Sequence, residues 1–318
     1  AYFGEADEIS GEAFADGELI MKRACAGCQI GCIHVALYRR PFAPGWEYAH
    51  TLVAYDHELI YAVGSLLGVG DRHDVLRLIE DIDKAGMDII SCGTALAWAT
   101  EAMERRLIQP DQFRGINLRW GDAERYAQAV EAIVAGDSEV GHWLGQGEVP
   151  AARHFGGESF VAAVGGQGIA GYWTGYAHVL GHLLGARHSH LDNAGYSIDQ
   201  KLDPYTDEAI IDRIIADEAE RIVQTSVAIC LFARGVYDLE TISRALESVG
   251  IERSVEELQA MGERIYWQRI RLRERLGFEA RIEDIPQRFY ETPTPRGQLE
   301  PERVANLLEI YQARRDPA

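Results

Sequence analysis

Three cysteines lie close together near the start of the chain, in the stretch Arg23-Ala-Cys-Ala-Gly-Cys-Gln-Ile-Gly-Cys-Ile-His34. Cys25, Cys28 and Cys32 have a C-x2-C-x3-C spacing, and thiolates at such a spacing can converge on one small metal core. The two glycines between them favour a tight loop, because glycine adopts backbone conformations that other residues rarely reach. The stretch therefore predicts a [4Fe-4S] cluster site, which needs a fourth thiolate from elsewhere in the chain.

Two further cysteines could supply that ligand. Cys230 is the better candidate, because Cys92 lies in an apolar run that is typical of a packed helix. Structural zinc is an alternative in which His34 completes the ligand set, but zinc sites usually combine two pairs of similar spacing. Disulfides are disfavoured, because five cysteines are an odd number and no secretory segment precedes them.

The cysteine stretch and the segments around it resemble the aldehyde ferredoxin oxidoreductase family of tungsten- or molybdenum-pterin enzymes. Ser10-Gly-Glu-Ala before the cysteines, Asp83-Lys-Ala-Gly-Met-Asp-Ile-Ile-Ser91 after them and Arg288-Phe-Tyr near the end resemble family segments in the right order. The resemblance implies that an aldehyde is oxidised to a carboxylic acid at a tungsten- or molybdenum-bis-pterin centre. The electrons are expected to pass through the [4Fe-4S] cluster to ferredoxin or another electron-transfer protein.

Family members begin with a mostly β domain that covers one face of the pterin, and no segment here resembles it. We therefore expect the chain to be a fragment, a processed product or one subunit of a split enzyme, with the N-terminal β domain supplied separately. We also expect the enzyme to be a homo-oligomer.

Two segments are expected from the resemblance to hold the pterin. In the first, Gly86 would let the backbone approach the ring system, while Asp83 or Asp88 would accept hydrogen bonds from its amino groups. In the second, Thr225-Ser-Val-Ala-Ile-Cys230, the cysteine matches but threonine replaces the acid and alanine replaces the glycine. A threonine hydroxyl can still accept a hydrogen bond, whereas Ala228 is expected to block the left-handed backbone that glycine allows.

The resemblance also implies an acid and a histidine beside the metal. Glu58 resembles the family's acid and could take a proton from water or hydrated aldehyde, with Asp56 as an adjacent competitor. The alternative is that Glu58 is a surface acid on a helix.

The histidine is expected in the glycine-rich stretch Gly185-Ala-Arg-His-Ser-His-Leu-Asp-Asn-Ala-Gly195. His190 is preferred over His188, and alternate residues of an extended loop cannot both face one cavity. His178 and His182, spaced i,i+4, could instead form a metal-binding pair on a helix, although no third ligand motif lies near them.

Composition bounds the remaining possibilities. A chain of 318 residues with 47% hydrophobic residues is long enough for two cores. Its 31 Lys and Arg against 50 Asp and Glu leave a net charge of −19, which disfavours nucleic acid and anionic membrane partners. Its apolar runs are shorter than the roughly 20 residues of a membrane span. We therefore expect a cytoplasmic protein.

The sequence predicts a mainly α, multihelical fold with two helical domains, 1–157 and 158–318, joined through a glycine-rich loop region. Apolar residues at i, i+3, i+4 and i+7 indicate helices over about 72–85 and 90–106, a third that Asp122 caps, and further helices in the second half. One of these opens at the capping box of Ser254 and Glu257. We further expect a helix over 9–24, a loop over 39–45 and mostly loop over 136–206.

Two other functions remain open from the sequence. One is a non-catalytic iron–sulfur electron-transfer subunit that has lost the pterin, which the altered second segment would allow. The other is a family member that works in the reductive direction on an aromatic thioester.

Overall fold

The computed structural model describes residues 3–43 and 47–315, and the chain divides into two compact units, Ala1–Gly171 and Tyr172–Ala318. The described residues contain fourteen α-helices and two small antiparallel sheets, so the predicted mainly α, multihelical fold class is confirmed. The sequence placed the domain boundary at 157/158, whereas the units divide after Gly171. Within the described ranges, none of the helices combines the length and apolarity that crossing a membrane requires.

The first unit opens with one short helix and a three-stranded antiparallel sheet in the order β1-β2-β3. These elements are α1 (Gly11–Gly17), β1 (Leu19–Arg23), β2 (Ile33–Ala43) and β3 (Glu47–Tyr55). The helices that follow are α2 (His57–Ile60), α3 (Arg72–Lys84), α4 (Ile89–Glu104), α5 (Ala123–Ala135), α6 (Glu139–Leu144) and α7 (Glu148–Phe155). A small hairpin closes the unit, with strands β4 (Ala163–Val164) and β5 (Gln167–Gly168).

The core of the first unit lies between α3, α4, α5 and the inner face of the sheet. The α3 stripe of Val75, Leu78 and Ile82 is fully buried, as its helical spacing predicts. Asp71 and Asp122 cap α3 and α5 by accepting hydrogen bonds from backbone amides, so both predicted helix starts are confirmed.

Two expectations for the start of the chain were wrong. The helix predicted over 9–24 ends at Gly17, and the following residues form β1, which pairs with β2. The predicted loop over 39–45 is also replaced by strand as far as Ala43, while residues 44–45 lie outside the described ranges. In both places pairing with the neighbouring strand of the sheet overrides the local preference of the segment.

The second unit is built from helices. They are α8 (Tyr176–Leu184), α9 (Gly195–Lys201), α10 (Asp207–Ser226), α11 (Leu239–Glu247), α12 (Val255–Arg275), α13 (Gln287–Glu291) and α14 (Pro301–Ala313). Helices α10 and α12 approach closely at Gly262, where a Cβ atom would lie 2.4 Å from the carbonyl oxygen of Ala219. The predicted capping box of Ser254 and Glu257 opens α12.

The expectation of mostly loop over 136–206 was wrong, because α6, α7, α8 and α9 all lie within it. Several of its glycines allow elements to pack closely. A Cβ atom at Gly195, the first residue of α9, would lie 2.3 Å from the carbonyl oxygen of Ala177 in α8. Glycine at this position permits a close contact between helices, and the sequence alone does not distinguish such a glycine from one in a loop.

Candidate functional site

The three clustered cysteines lie in the loop that joins β1 to β2, residues 24–32, here called the cysteine loop. The amide of Cys28 donates to the carbonyl oxygen of Cys25 at 3.0 Å, which makes the first turn of the loop. Gly27 and Gly31 both adopt left-handed backbone conformations, with φ of 73° and 63°. Cys25 is exposed while Cys28 and Cys32 are half-buried, so three free thiols of one loop are accessible to an external group. This donor set fits the predicted iron–sulfur cluster.

The two remaining cysteines differ in environment, each within its own unit. Cys230 is exposed and directly precedes a short 3-10 turn. Cys92 is buried in α4, and burial raises the pKa of its thiol to about 12. A thiol with such a pKa stays protonated at neutral pH, and thiolate is the form that binds metal. Cys230 therefore remains the candidate for the fourth ligand.

The two predicted pterin segments have the same backbone geometry. At the end of α3 the amide of Gly86 donates to Asp83 O at 2.9 Å and the amide of Met87 donates to Ile82 O at 3.2 Å. This pair of bonds is the Schellman arrangement that ends a helix with a left-handed residue.

At the end of α10 the pattern repeats, with the amide of Ala228 donating to Thr225 O at 3.1 Å and that of Ile229 to Gln224 O at 3.0 Å. Gly86 has φ 71° and Ala228 has φ 62°. The expectation that alanine blocks the left-handed backbone was therefore wrong, because the hydrogen bonds of the helix end hold Ala228 in it.

The polar side chains of the two segments are placed differently. Asp83 is exposed, and Asp88 caps α4 by accepting from the Ser91 amide at 2.7 Å. Thr225 is exposed and its hydroxyl donates to Arg221 O at 2.8 Å within its own helix. Its oxygen can still accept a hydrogen bond, without the charge of a carboxylate. A Cβ atom at Gly86 would meet none of the described residues within 4 Å, its chain neighbours aside, so a ring system has room to approach.

Asp88 also lines a cavity of about 350 Å³. Its other lining residues include Cys92, the buried Glu148 and four glycines of the first unit, and we call it the glycine-lined cavity. Of the described residues that line it, two carry carboxylates and none is Lys or Arg, so it favours groups that donate hydrogen bonds.

A larger cavity, of about 500 Å³, lies beside the cysteine loop. Lys22 and His34, which flank the loop and pair across β1 and β2, both line this hairpin cavity. Its other lining residues are Ala6, Ile9, Ser10, Gly11, Ala15, Leu19, Tyr55, Asp56, His57, Ile60, Tyr61, Ser65 and Gly171. The hairpin cavity thus combines apolar walls with several groups that can carry a proton.

Of the two acids predicted for proton transfer, Asp56 lines the hairpin cavity and Glu58 stands half-buried two residues further on. Asp56 caps α2 and accepts from the Leu59 amide at 3.2 Å. Partial removal from water raises the pKa of Asp56, and the charge and hydrogen bonding of Glu58 raise it further. The two carboxyls therefore form a coupled pair.

His188 and His190 lie in the loop between α8 and α9, and their rings contact different neighbours. His188 has φ 55°, bonds through Nδ1 to His182 O at 3.1 Å and packs edge-on against Phe278, with ring centroids 4.3 Å apart. Burial lowers the pKa of His188. His190 instead packs near Tyr172, at 5.5 Å between ring centroids.

The i,i+4 pair His178 and His182 is buried in α8, with ring centroids 5.5 Å apart. Burial and the neighbouring His182 lower the pKa of His178 well below its ordinary value, so the ring is neutral. Among the residues that the structure describes, three metal-binding side chains meet closely only at Asp71, His73 and Asp74, where Asp71 already serves as a helix cap. A metal site on His178 and His182 therefore stays a prediction, because the described residues place no third ligand beside them.

Residues 1–316 match the family model described as aldehyde ferredoxin oxidoreductase, domains 2 and 3. The chain belongs to the aldehyde ferredoxin oxidoreductase family. The tungsten-containing aldehyde ferredoxin oxidoreductase of Thermococcus kodakarensis is 29% identical over 319 residues, covering 93% of this chain and 49% of the relative. The corresponding protein of Pyrococcus furiosus is 28% identical over 313 residues, covering 91% and 48%. The chain thus spans about half the length of these relatives.

A solved structure shares the fold. The active-site complex BamBC of benzoyl coenzyme A reductase, in complex with 1,5-dienoyl-CoA, superposes with a TM-score of 0.72 at 15% identity. The match covers 95% of this chain and 51% of that one. At this identity the likeness concerns the fold alone.

Sequence reasoning missed two buried acids of this family member. Asp199 and Glu218 are each 1% exposed, and both accept hydrogen bonds from the segments around α8. Asp199 binds the start of α8, while Glu218 binds the loop that follows it. Both acids therefore hydrogen-bond the part of the chain, α8 and the loop after it, that carries His178, His182, His188 and His190.

Proposed function

We propose that the chain is the helical, cluster-carrying part of a tungsten- or molybdenum-containing oxidoreductase that converts an aldehyde to a carboxylic acid. The reaction takes one oxygen from water and releases two protons and two electrons. Family membership and the names of the relatives support this class of reaction. The observation in this chain that carries the proposal is the cysteine loop, which lies beside a cavity lined by Asp56. The pKa of this acid is raised by burial and by the neighbouring carboxyl of Glu58.

The residues proposed to hold the cofactors follow from the placements described above. The [4Fe-4S] ligands are Cys25, Cys28, Cys32 and Cys230, and the pterin-binding residues are Asp83, Gly86, Asp88 and Thr225. When bound, these groups supply the electron-accepting chemistry, from the metal centre through pterin and cluster to ferredoxin or another electron-transfer protein. The accessibility of the loop thiols and the open space at Gly86 fit this assignment.

The protein's own part in the reaction is to move protons and to orient the aldehyde. We assign the base to the pair Asp56 and Glu58, in which one carboxyl takes the proton and the other shares it. Two nearby carboxyls that share a proton have separated pKa values, which places one of them closer to neutrality. His190 is assigned to bind the substrate oxygen, and His188, which packs against Phe278, is assigned to hold the loop.

The carboxyl pair is tested by changing its members singly and together in the enzyme as its host produces it. Glu58→Gln and Asp56→Asn should each lower turnover by roughly 10² to 10⁴, the usual contribution of a general base. The double variant should be no slower than the worse single one, because coupled groups act as a unit. Metal content should not change.

Two results would contradict the pair. The first is turnover within threefold of the original in either single variant. The second is a loss in the double variant that equals the product of the two single losses. Asp111→Asn, an exposed acid of the same unit, serves as the matched control.

A non-catalytic electron-transfer subunit remains the second candidate, because Thr225 offers no carboxylate to a pterin. Metal analysis separates the two functions. Iron together with tungsten or molybdenum supports the enzyme, whereas iron alone supports the electron carrier. Reduction of an aromatic thioester is a third hypothesis, which substrate assays in both directions would distinguish from aldehyde oxidation.

A further inference from the structure

The loop that carries His188 and His190 is held from one side by α10. Three residues within about one turn and a half of this helix bind the backbone of the loop. Asp217 accepts from the Ala194 amide at 2.7 Å, and Arg221 donates to Leu191 O at 3.2 Å. Glu218, the third, binds the backbone amide of Ala186.

Glu218 joins the two ends of the loop. Its Oε1 accepts from the Ala186 amide at 3.3 Å and its Oε2 accepts from the Asn193 side chain at 3.2 Å. The Asn193 side chain also donates to Gly181 O at 2.9 Å, within α8. One carboxyl of 1% exposure therefore connects the end of α8, the loop and α10.

A second buried acid lies beside it. Asp192, 2% exposed, accepts from the Arg187 amide and from Arg187 Nε, each at 2.7 Å. Arg269 of α12 lies 3.5 Å from Asp192 and 4.0 Å from Glu218, so one guanidinium is shared by two carboxyls. Asp192 thus has two guanidinium partners, Arg187 and Arg269, whereas Glu218 meets Arg269 only at 4.0 Å. This weaker compensation of a buried negative charge favours a proton on Glu218.

We infer that Glu218 is a positioning residue whose protonation sets the geometry of the loop carrying His188 and His190. The inference rests on the proposed function only where it places this loop in the active site. A carboxylate and a carboxylic acid differ in charge and in donor capacity. A change between them therefore alters how Glu218 binds Ala186 and Asn193 and how strongly it repels Asp192.

Burial raises the pKa of Glu218 to about 7, and the charge of Asp192 contributes to the rise. Because the folded-state pKa lies above the ordinary value, the stabilising contribution of the neutral form is complete at acidic pH. It is lost as the pH rises through about 7. The groups that face Glu218 are Asp192 and Asn193 of the loop, Arg221 of α10, Arg269 and Tyr266 of α12 and Tyr311 of α14. Both tyrosines stay neutral, since burial raises their pKa values.

The test is hydrogen exchange of residues 186–193 in the full chain, compared between the original protein and Glu218→Gln from pH 5 to 8.5. Glutamine keeps the size of the side chain and cannot ionise. The protection factor of the original protein divided by that of Glu218→Gln isolates the contribution of Glu218, because the buried histidines contribute equally to both proteins. This ratio should fall by roughly tenfold per pH unit between pH 5 and 7 and then level off.

Glu208→Gln, an exposed acid on the same helix, is the matched control and should leave the pH dependence intact. The imidazole resonances of His188 and His190 should lose a shared transition near neutral pH in Glu218→Gln, which a purely structural role would not cause. A constant protection ratio, or a transition that persists in Glu218→Gln, overturns the inference. If the loop responds as expected while turnover stays unchanged, the inference stands and the assignment of the loop to the active site fails.

Discussion

Asp199 offers the most direct test of how the histidine-bearing helix is held. Its Oδ1 accepts from the Ala177 amide at 2.9 Å, and its Oδ2 accepts from the His178 amide at 2.9 Å and from Thr174 Oγ1 at 2.8 Å. The hydroxyl of Tyr205 also donates to Oδ1. This one carboxylate therefore satisfies two of the amides that a helix N-terminus leaves without partners.

Asp199→Asn keeps the size of the side chain but replaces one oxygen with a donor. Two of the four donors then lose their acceptor, whichever way the amide is oriented. Hydrogen bonds to charged groups contribute about 1.5 to 3 kcal/mol each, so the gross loss is about 3 to 6 kcal/mol. Burial raises the pKa of Asp199 against these bonds, so removing the charge also relieves a desolvation cost. We expect a net loss of about 3 kcal/mol.

The assay is thermal unfolding together with hydrogen exchange over residues 176–184. A loss of this size should lower the melting temperature of a unit of this length by roughly 6 to 12 °C. Exchange should accelerate first at the start of α8. Asp203→Asn, an exposed acid nearby, should change stability by less than about 0.5 kcal/mol. If Asp199→Asn stayed within about 1 kcal/mol of the original protein, the carboxylate would not be what holds α8.

Two further predictions concern the cofactor segments. Changing any one of the cysteine-loop thiols or Cys230 to serine should reduce iron content, whereas Cys92→Ser should not, because the Cys92 thiol stays protonated. Iron analysis and visible absorbance measure this. If Cys92→Ser lost the cluster and Cys230→Ser kept it, Cys230 would be excluded as the fourth ligand. Ala228→Gly should stabilise the chain by about 1 kcal/mol, since a left-handed alanine costs about 1 to 2 kcal/mol, and Gly86→Ala should destabilise it by a similar amount. Denaturant unfolding measures both changes, and destabilisation by Ala228→Gly would show that the backbone of Ala228 is not strained.

Helix starts could be read from the sequence because capping is local. Asp71, Asp122 and Ser254 each bind an amide three residues further on, and nothing distant is needed for that bond. Strands β1 and β2 could not be read in the same way. Their pairing, such as Lys22 opposite His34, satisfies backbone groups only after the loop between the two strands has closed, and no residue within a strand specifies its partner.

The candidate site shows the same division. The cysteine spacing lies within a single loop, so its donor set could be predicted. Whether Asp56 or Glu58 faces the hairpin cavity depends instead on the turn that Asp56 caps. A cap residue lies outside the helix with an extended backbone, here φ −151°, and so points differently from a residue inside the first turn. The resemblance to the family favoured Glu58, whereas the cap geometry brings Asp56 to the cavity wall.

Glu218 could have been found from the helical pattern of α10. Ile211, Ile214 and Ile222 define the apolar stripe of this helix, and Glu218 falls on it, four residues from each of the two nearer isoleucines. A charged residue on such a stripe is buried when the stripe is packed, and a buried charge requires partners or a proton. The pattern thus predicts an unusual acid at position 218. It does not name the partners, because Asp192, Asn193 and Arg269 reach it from a loop and from another helix.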